Sequence, residues 1–261
     1  MALANRDHEL KACLNLAQQS TDYCIVLISG SSGIGKTFLL DHFESQCPSN
    51  ALVIRLDLQS IIAPDYLFSQ IIRELQVFSK SQHQDMCEFN RFEKAQELAS
   101  PQVAISNNYI SGSLDANIVM PTNSASPYIL SRTLNFFFQD LCEYLEHVEK
   151  LLILAIDKFN DSQSDIVSWL DGGWLPEIKR SNNVRLILSG QKSLEENSQW
   201  ERHCKRFHLD AIHDPQKWEN FTKELGLEHS SAHVEGLVRI IKGSPQALGY
   251  HFHQDAERRM K

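Results

Sequence analysis

Apolar positions along this chain follow two periods. Runs of strand length that are apolar but for Arg55 and Arg185 occur at Cys24 to Ile28, Leu52 to Leu56, Leu151 to Ile156 and Val184 to Leu188. Runs of this length, rich in β-branched residues, are the pattern of strands covered on both faces. Elsewhere apolar residues recur every three to four positions. Leu10, Leu14 and Ala17 predict a short amphipathic helix before the first strand, and Leu67, Ile71, Leu75 and Phe78 predict one face of a helix that Pro64 starts. Leu130, Leu134, Phe137, Leu141 and Leu145 predict a long helix with Ser126 as N-cap and Pro127 as its first residue. The aromatic triplet Phe136 to Phe138 then belongs to the core. A further helical stretch with Trp169, Leu170 and Trp174 separates the last two runs.

Strands alternating with helices predict an α/β fold with a parallel central sheet flanked by helices. A last short strand is expected at Arg206 to Leu209. Beyond it, Asp214-Pro215 opens one helix and Ser230 or Ser231 caps another that ends at Lys242-Gly243. These helices have no strand partners, so a small helical lid is expected at residues 211–261. Residues of about 80–126 break the alternation and form an insertion. It holds a short helix near Phe89 to Leu98 and a β-hairpin from Gln102 to Ile105 and Asn117 to Met120.

The turn after the first strand carries the chemistry. Gly30-Ser31-Ser32-Gly33-Ile34-Gly35-Lys36-Thr37 fits G-x-x-x-x-G-K-[ST], with an apolar strand before it and helical spacing from Phe38 after it. Glycines allow successive N–H groups to turn inward and approach phosphate oxygens, and the helix opening near Lys36 adds its own unpaired N–H groups. Lys36 can reach the β- and γ-phosphates of a nucleotide, and the Thr37 hydroxyl can hold Mg²⁺. A carboxylate is then needed at the carboxyl end of a strand, where ligands gather in parallel sheets. Asp157, after Leu151 to Ile156, supplies it as the second metal ligand. Residues 1–210 are therefore the expected nucleotide-binding domain.

Composition narrows the partners. With 261 residues, 42% hydrophobic and 22% charged, the chain can bury a large core. Its formal net charge of -8 counts against a general nucleic-acid binder. The 6 cysteines are scattered without a C-x-x-C pair, which fits reduced thiols and a cytoplasmic location. No apolar run is long enough to cross a bilayer. His251, His253 and Glu257 could face one another on a tail helix, but no spacing matches a zinc motif.

Four features together resemble the STAND class of P-loop ATPases, relatives of AAA+ proteins that include the NACHT and NB-ARC modules. Asn5 to Glu9 looks like the family's R-x-x-E motif, the P-loop follows, then the strand that runs to Asp157, and Gly243-Ser244-Pro245 looks like its G-x-P motif. The stretch from Asp157 through Trp169-Leu170 to Ser189-Gly190 is also similar to effector-associated bacterial STAND proteins. The resemblance implies an ASCE/AAA+-like fold, ATP or ADP with Mg²⁺, and nucleotide-dependent self-association or a protein partner. It implies that Arg6, the loop, Phe38 and Pro245 contact the nucleotide, with Pro245 near the adenine. It also implies that the strand ending at Ser189 lies beside the P-loop strand as a sensor, so Lys36, Asp157 and Ser189 act at the phosphates.

The chain departs from that pattern at Lys158 and Asn160, where relatives carry an acidic residue, and at Gln191, where an arginine is expected. Asp161 is the substitute acid if its loop curls back. Slow hydrolysis is expected, with a non-hydrolysing interaction module and a DNA-acting AAA+ or RecA-like ATPase as the alternatives. The chain is expected to be an excised or a stand-alone module.

Overall fold

The computed structural model describes residues 6–58, 64–83, 88–99, 127–159 and 164–260. Five strands, β1 (Ile25–Gly30), β2 (Ala51–Asp57), β3 (Leu151–Phe159), β4 (Val184–Gly190) and β5 (Cys204–Leu209), form one sheet in the order β2-β3-β4-β1-β5. Every pairing is parallel. The strand that ends near Ser189 does lie beside the P-loop strand, with Ser29 opposite Gly190.

Helices α1 (Asp7–Ala17) and α2 (Lys36–Gln46) cover one face of the sheet. The other face carries α3 (Pro64–Gln82), α4 (Asn90–Ala99), α5 (Pro127–His147), α6 (Ser164–Trp169) and α7 (Leu175–Arg180), the last two joined by a π-helical turn at Leu170–Trp174. Strand periodicity sorts the side chains. Leu152, Leu154, Ile156, Leu186 and Leu188 pack toward α3 to α7, whereas Leu151, Ile153 and Ile187 pack toward α1 and α2. Asp157 and Ser189 continue the second set, so a period of two aims both at the P-loop helix.

Of the aromatic triplet, Phe137 and Phe138 are core as expected, whereas Phe136 is half-buried with the Arg132 guanidinium over its ring at 5.3 Å. Phe137 stacks on Phe89 at 5.3 Å and meets Phe68 edge-on at 4.6 Å, and Phe138 is buried against Trp174. The predicted stripe on α3 shifts at its end. Phe78 is half-buried, and Ser79 is the fully buried neighbour, satisfied by the Leu75 carbonyl at 2.9 Å and the Tyr144 hydroxyl at 2.6 Å. Asp140 on α5 caps α4, accepting from the amides of Arg91 (2.9 Å) and Phe92 (3.0 Å). The predicted hairpin, Ser126, Asn160 and Asp161 lie outside the described residues.

Past the sheet, α8 (Pro215–Glu224), α9 (Ser231–Ile240) and α10 (Pro245–Met260) share a separate core of Ile212, Trp218, Phe221, Val234, Leu248 and Phe252. Asp214 caps α8 and Ser230, not Ser231, caps α9. The third helix is the tail helix expected to carry His251 and His253; it starts at Pro245, where proline suits the first helical position. His251 and His253 do not face one another. His251 Nε2 lies 3.6 Å from Asp255 Oδ2, while His253 packs edge-on against Phe221 at 5.8 Å. Among the described residues no helix is long and apolar enough to cross a membrane.

Candidate functional site

The loop between β1 and α2 runs over the carboxyl edge of the sheet, and its shape depends on glycine. Gly33 and Gly35 have φ of 75° and 96°, a region that side chains with a Cβ rarely enter. Lys36 lies at the first turn of α2, and its ammonium donates to the loop's own carbonyl oxygens at Gly30 (2.7 Å) and Ser31 (2.8 Å). Its hydrogen-bond partners are thus neutral. Partial burial pulls its pKa below the usual lysine value, against the opposing pull of Asp157. Such a charge is poised for an anion.

Asp157 is the hub. Its Oδ2 accepts from the Thr37 hydroxyl at 2.7 Å and lies 3.4 Å from Arg55 Nη2; its Oδ1 accepts from the Ser189 hydroxyl and, at 2.8 Å, from the Lys158 amide. Burial alone would raise this carboxyl's pKa. The bonds from Ser189, Thr37 and Lys158, with the charge of Arg55, hold it below the ordinary value. Arg55 also binds Asp41 on α2.

Lys158 follows Asp157 in a left-handed backbone conformation, φ 59°, where the β3–β4 ladder breaks between Ile156 and Phe159. Its ammonium pairs with Asp57, whose Cα is the register partner of Asp157. Where an acid was expected beside Asp157, the chain carries a cation tied to the neighbouring strand. Gly190 ends β4 so close to β3 that a Cβ there would lie 2.2 Å from the Phe159 carbonyl oxygen.

The lid begins directly on the loop. The backbone amide of Gln246, in the first turn of α10, donates to the Gly33 carbonyl at 3.1 Å, and its side chain covers Gly33. Between loop, sheet edge and lid lies a cavity of about 590 Å³, a volume suited to a small-molecule ligand. Ser32 to Phe38, Asp157, Arg6, Gln191 and Pro245 all contribute to its wall. Gly30 and Ser31 lie at the loop's start, and Ser189 acts from below through Asp157. Arg6 is buried, and its Nη2 donates to the Asp210 carbonyl at 2.6 Å and to Ile34 O at 3.4 Å, so it braces the wall.

A glycine turn at a helix start, a neutral-partnered ammonium and an oxygen pair from Thr37 and Asp157 match the needs of a polyphosphate and a hard divalent cation. Sequence reasoning missed Arg55, Asp41 and Gln246. Arg55 was signalled by a charge at an inward position of an otherwise apolar strand, and Gln246 by its place after Pro245; Asp41 had no signal apart from its helix.

A parallel five-stranded sheet in this order, with that loop after β1 and an acidic residue on β3, defines a P-loop nucleoside triphosphatase. The chain belongs to the AAA ATPase domain family, whose model matches residues 2–175. It is thereby a nucleotide-binding module of the AAA+ class, a broader assignment than the STAND class that its motifs resemble. No match is found among curated proteins. Similar solved structures include Aeropyrum pernix ORC2 protein in its ADP form, at 17% identity over 94% of this chain and 59% of that one, TM-score 0.49. Drosophila ORC bound to DNA is 14% identical over 85% of this chain and 47% of that one, TM-score 0.47. An E. coli MS115-1 HORMA:CdnC:Trip13 complex is 10% identical over 91% of this chain and 73% of that one, TM-score 0.46. The chain spans about half the length of the Drosophila chain. The exclusion of nucleic acid drawn from net charge finds no support in these comparisons.

Proposed function

We propose that this chain is an ATP-binding switch module of STAND type, in which residues 1–210 hold ATP or ADP with Mg²⁺ and residues 211–261 act as a lid. The observation that supports this best is the bond from Gln246 to Gly33, which seats the lid helix on the phosphate loop. Nucleotide occupancy and lid position then share one contact. In this reading Lys36 and the amides of 33 to 37 bind phosphates, Thr37 and Asp157 hold the metal, and Ser189 and Arg55 orient Asp157. A bound magnesium ion would offset the negative charge of the β- and γ-phosphates. Pro245 faces the base, and lid movement controls association with a second copy or a protein partner. Replacing Lys36 with Ala should weaken Mg·ATP binding by about 2 to 5 kcal/mol, the usual cost of deleting one partner of a buried charge pair. Equal affinities of variant and wild type in titration calorimetry would refute the site.

Slow ATP hydrolysis is part of this proposal. The alternative, nucleotide binding without turnover, is favoured by Lys158, whose ammonium is tied to Asp57 where an acid would orient water. Single-turnover phosphate release separates the two. Release above the Lys36→Ala baseline supports hydrolysis; release equal to it supports the non-hydrolysing module.

A further inference from the structure

Strand β3 carries one residue more than its neighbour can match. Ile156 is the register partner of Leu188 and Phe159 that of Gly190, so three steps along β3 span two along β4. The left-handed backbone of Lys158, φ 59°, marks it as the residue that bulges out. The bulge changes where side chains point. Leu152, Leu154 and Ile156 pack toward α3 to α7, and in a regular strand position 158 would follow them into that apolar layer. Phe159 takes that place instead, buried in the same core, while Lys158 contributes to the wall of the cavity.

Its ammonium is also held differently from the other lysine and arginine groups of the described wall. Arg6 is buried and donates to the carbonyls of Asp210 and Ile34, and Lys36 is held by the loop's own carbonyls. Lys158 pairs with Asp57, and the two side chains are 43% and 42% exposed. Water screens such a pair, which shifts an equilibrium by less than about fivefold. A terminal phosphate brings more negative charge and more acceptor oxygens than one carboxylate, so it is the stronger partner. A flexible four-carbon stem lets the ammonium swing between the two. The adjoining end of β4 offers no competing charge: Gly190 and Gln191 are neutral, and the Gln191 amide donates to the Phe159 carbonyl at 3.2 Å.

We propose that Lys158 reads the terminal phosphate: its ammonium leaves Asp57 for the γ-phosphate of ATP and stays on Asp57 when ADP is bound. This rests on the nucleotide reading above and adds the residue that tells the two nucleotides apart. Placement selects the third phosphate over the first two. Lys158 follows Asp157 directly and its amide donates to Asp157 Oδ1 at 2.8 Å, beside the Thr37 and Asp157 oxygens, the end of the site where the β- and γ-phosphates belong. The side chain that replaces an acid here thus supplies charge to the phosphate rather than a base to water.

The test is titration calorimetry with Mg·ATP and Mg·ADP on wild type, Lys158→Asn and Asp57→Asn. Asparagine enters the left-handed region more readily than most residues, so the first variant keeps the bulge and removes the charge. The second keeps the lysine and removes its competitor. Lys158→Asn should weaken ATP binding about tenfold or more, the worth of a hydrogen bond between charged groups, and change ADP binding less than about twofold. Asp57→Asn should bind ATP as tightly as wild type or up to about fivefold more tightly, with ADP unchanged. A ratio of ATP to ADP affinity in Lys158→Asn equal to that of wild type overturns the phosphate-reading role and leaves the nucleotide site standing. Weaker ATP binding by Asp57→Asn overturns it too, and tests the same exchange should the first variant fail to fold. Failure of wild type to bind either nucleotide overturns the nucleotide reading and this inference with it.

Discussion

Asp157→Asn probes the hub of the site without changing its shape. The amide keeps one acceptor oxygen and replaces the other with a donor. The Lys158 amide, 2.8 Å from Oδ1, can only donate, so the Asn oxygen must turn toward it and the NH₂ group toward Thr37 and Arg55. The Thr37 hydroxyl can rotate to accept, whereas the Arg55 guanidinium cannot. Three hydrogen bonds lose their charge-assisted character, a difference of about 1 kcal/mol each, and the neutral amide recovers part of that because it costs less to bury. The net expectation is a loss of about 1 to 3 kcal/mol at pH 7. Urea unfolding without nucleotide should show a lower midpoint at an unchanged slope. The sign follows from linkage. The folded-state pKa of Asp157 lies below the reference 3.8, so its ionised form stabilises the fold above that value, and this contribution is lost as pH falls through the depressed one. The gap between wild type and variant should be constant from about pH 6 to 8 and narrow below about pH 4. A variant as stable as wild type at pH 7 would refute the reasoning, because burial would then outweigh the bonds.

Gly33→Ala places a Cβ 2.3 Å from the Gln246 side-chain oxygen in a left-handed conformation, so ATP affinity should fall. Gln246→Ala should restore part of it, and a double-mutant coupling of less than about 0.5 kcal/mol would argue against direct contact of lid and loop. Gly190→Ala, which crowds the Phe159 carbonyl, should destabilise by about 1 to 3 kcal/mol in thermal unfolding, and an unchanged midpoint would contradict the close approach of β3 and β4. Binding of a polyanion should raise the depressed pKa of Lys36. In alkaline solution ATP binding should therefore take up protons, detected as a dependence of calorimetric enthalpy on buffer ionisation; buffer-independent enthalpies would count against Lys36 as the phosphate ligand.

Much of this was legible in the residues themselves. The apolar runs gave four strands, and the P-loop letters placed Lys36 and Thr37 at a helix start because glycine conformation and helix amides are local properties. Asp157 was found by its position at the end of an apolar run, though β3 continues past it to Phe159. The misses are long-range. Arg55 reaches Asp157 only once β2 pairs with β3, and Lys158 meets Asp57 only through that register. The cavity face of α10 depends on how the lid core turns the helix, which spacing within 245–260 cannot reveal alone. His253 shows the same limit, since its neighbour Phe221 comes from α8, whereas His251 meets Asp255 one turn on in its own helix.

The central claim is that amides of residues 33 to 37 and the Lys36 ammonium form a cradle for a polyphosphate. Amide hydrogen exchange with and without Mg·ATP tests it most directly. Slower exchange across 33 to 37 in wild type, absent in Lys36→Ala, is the predicted result; identical exchange in that segment at saturating nucleotide would contradict it.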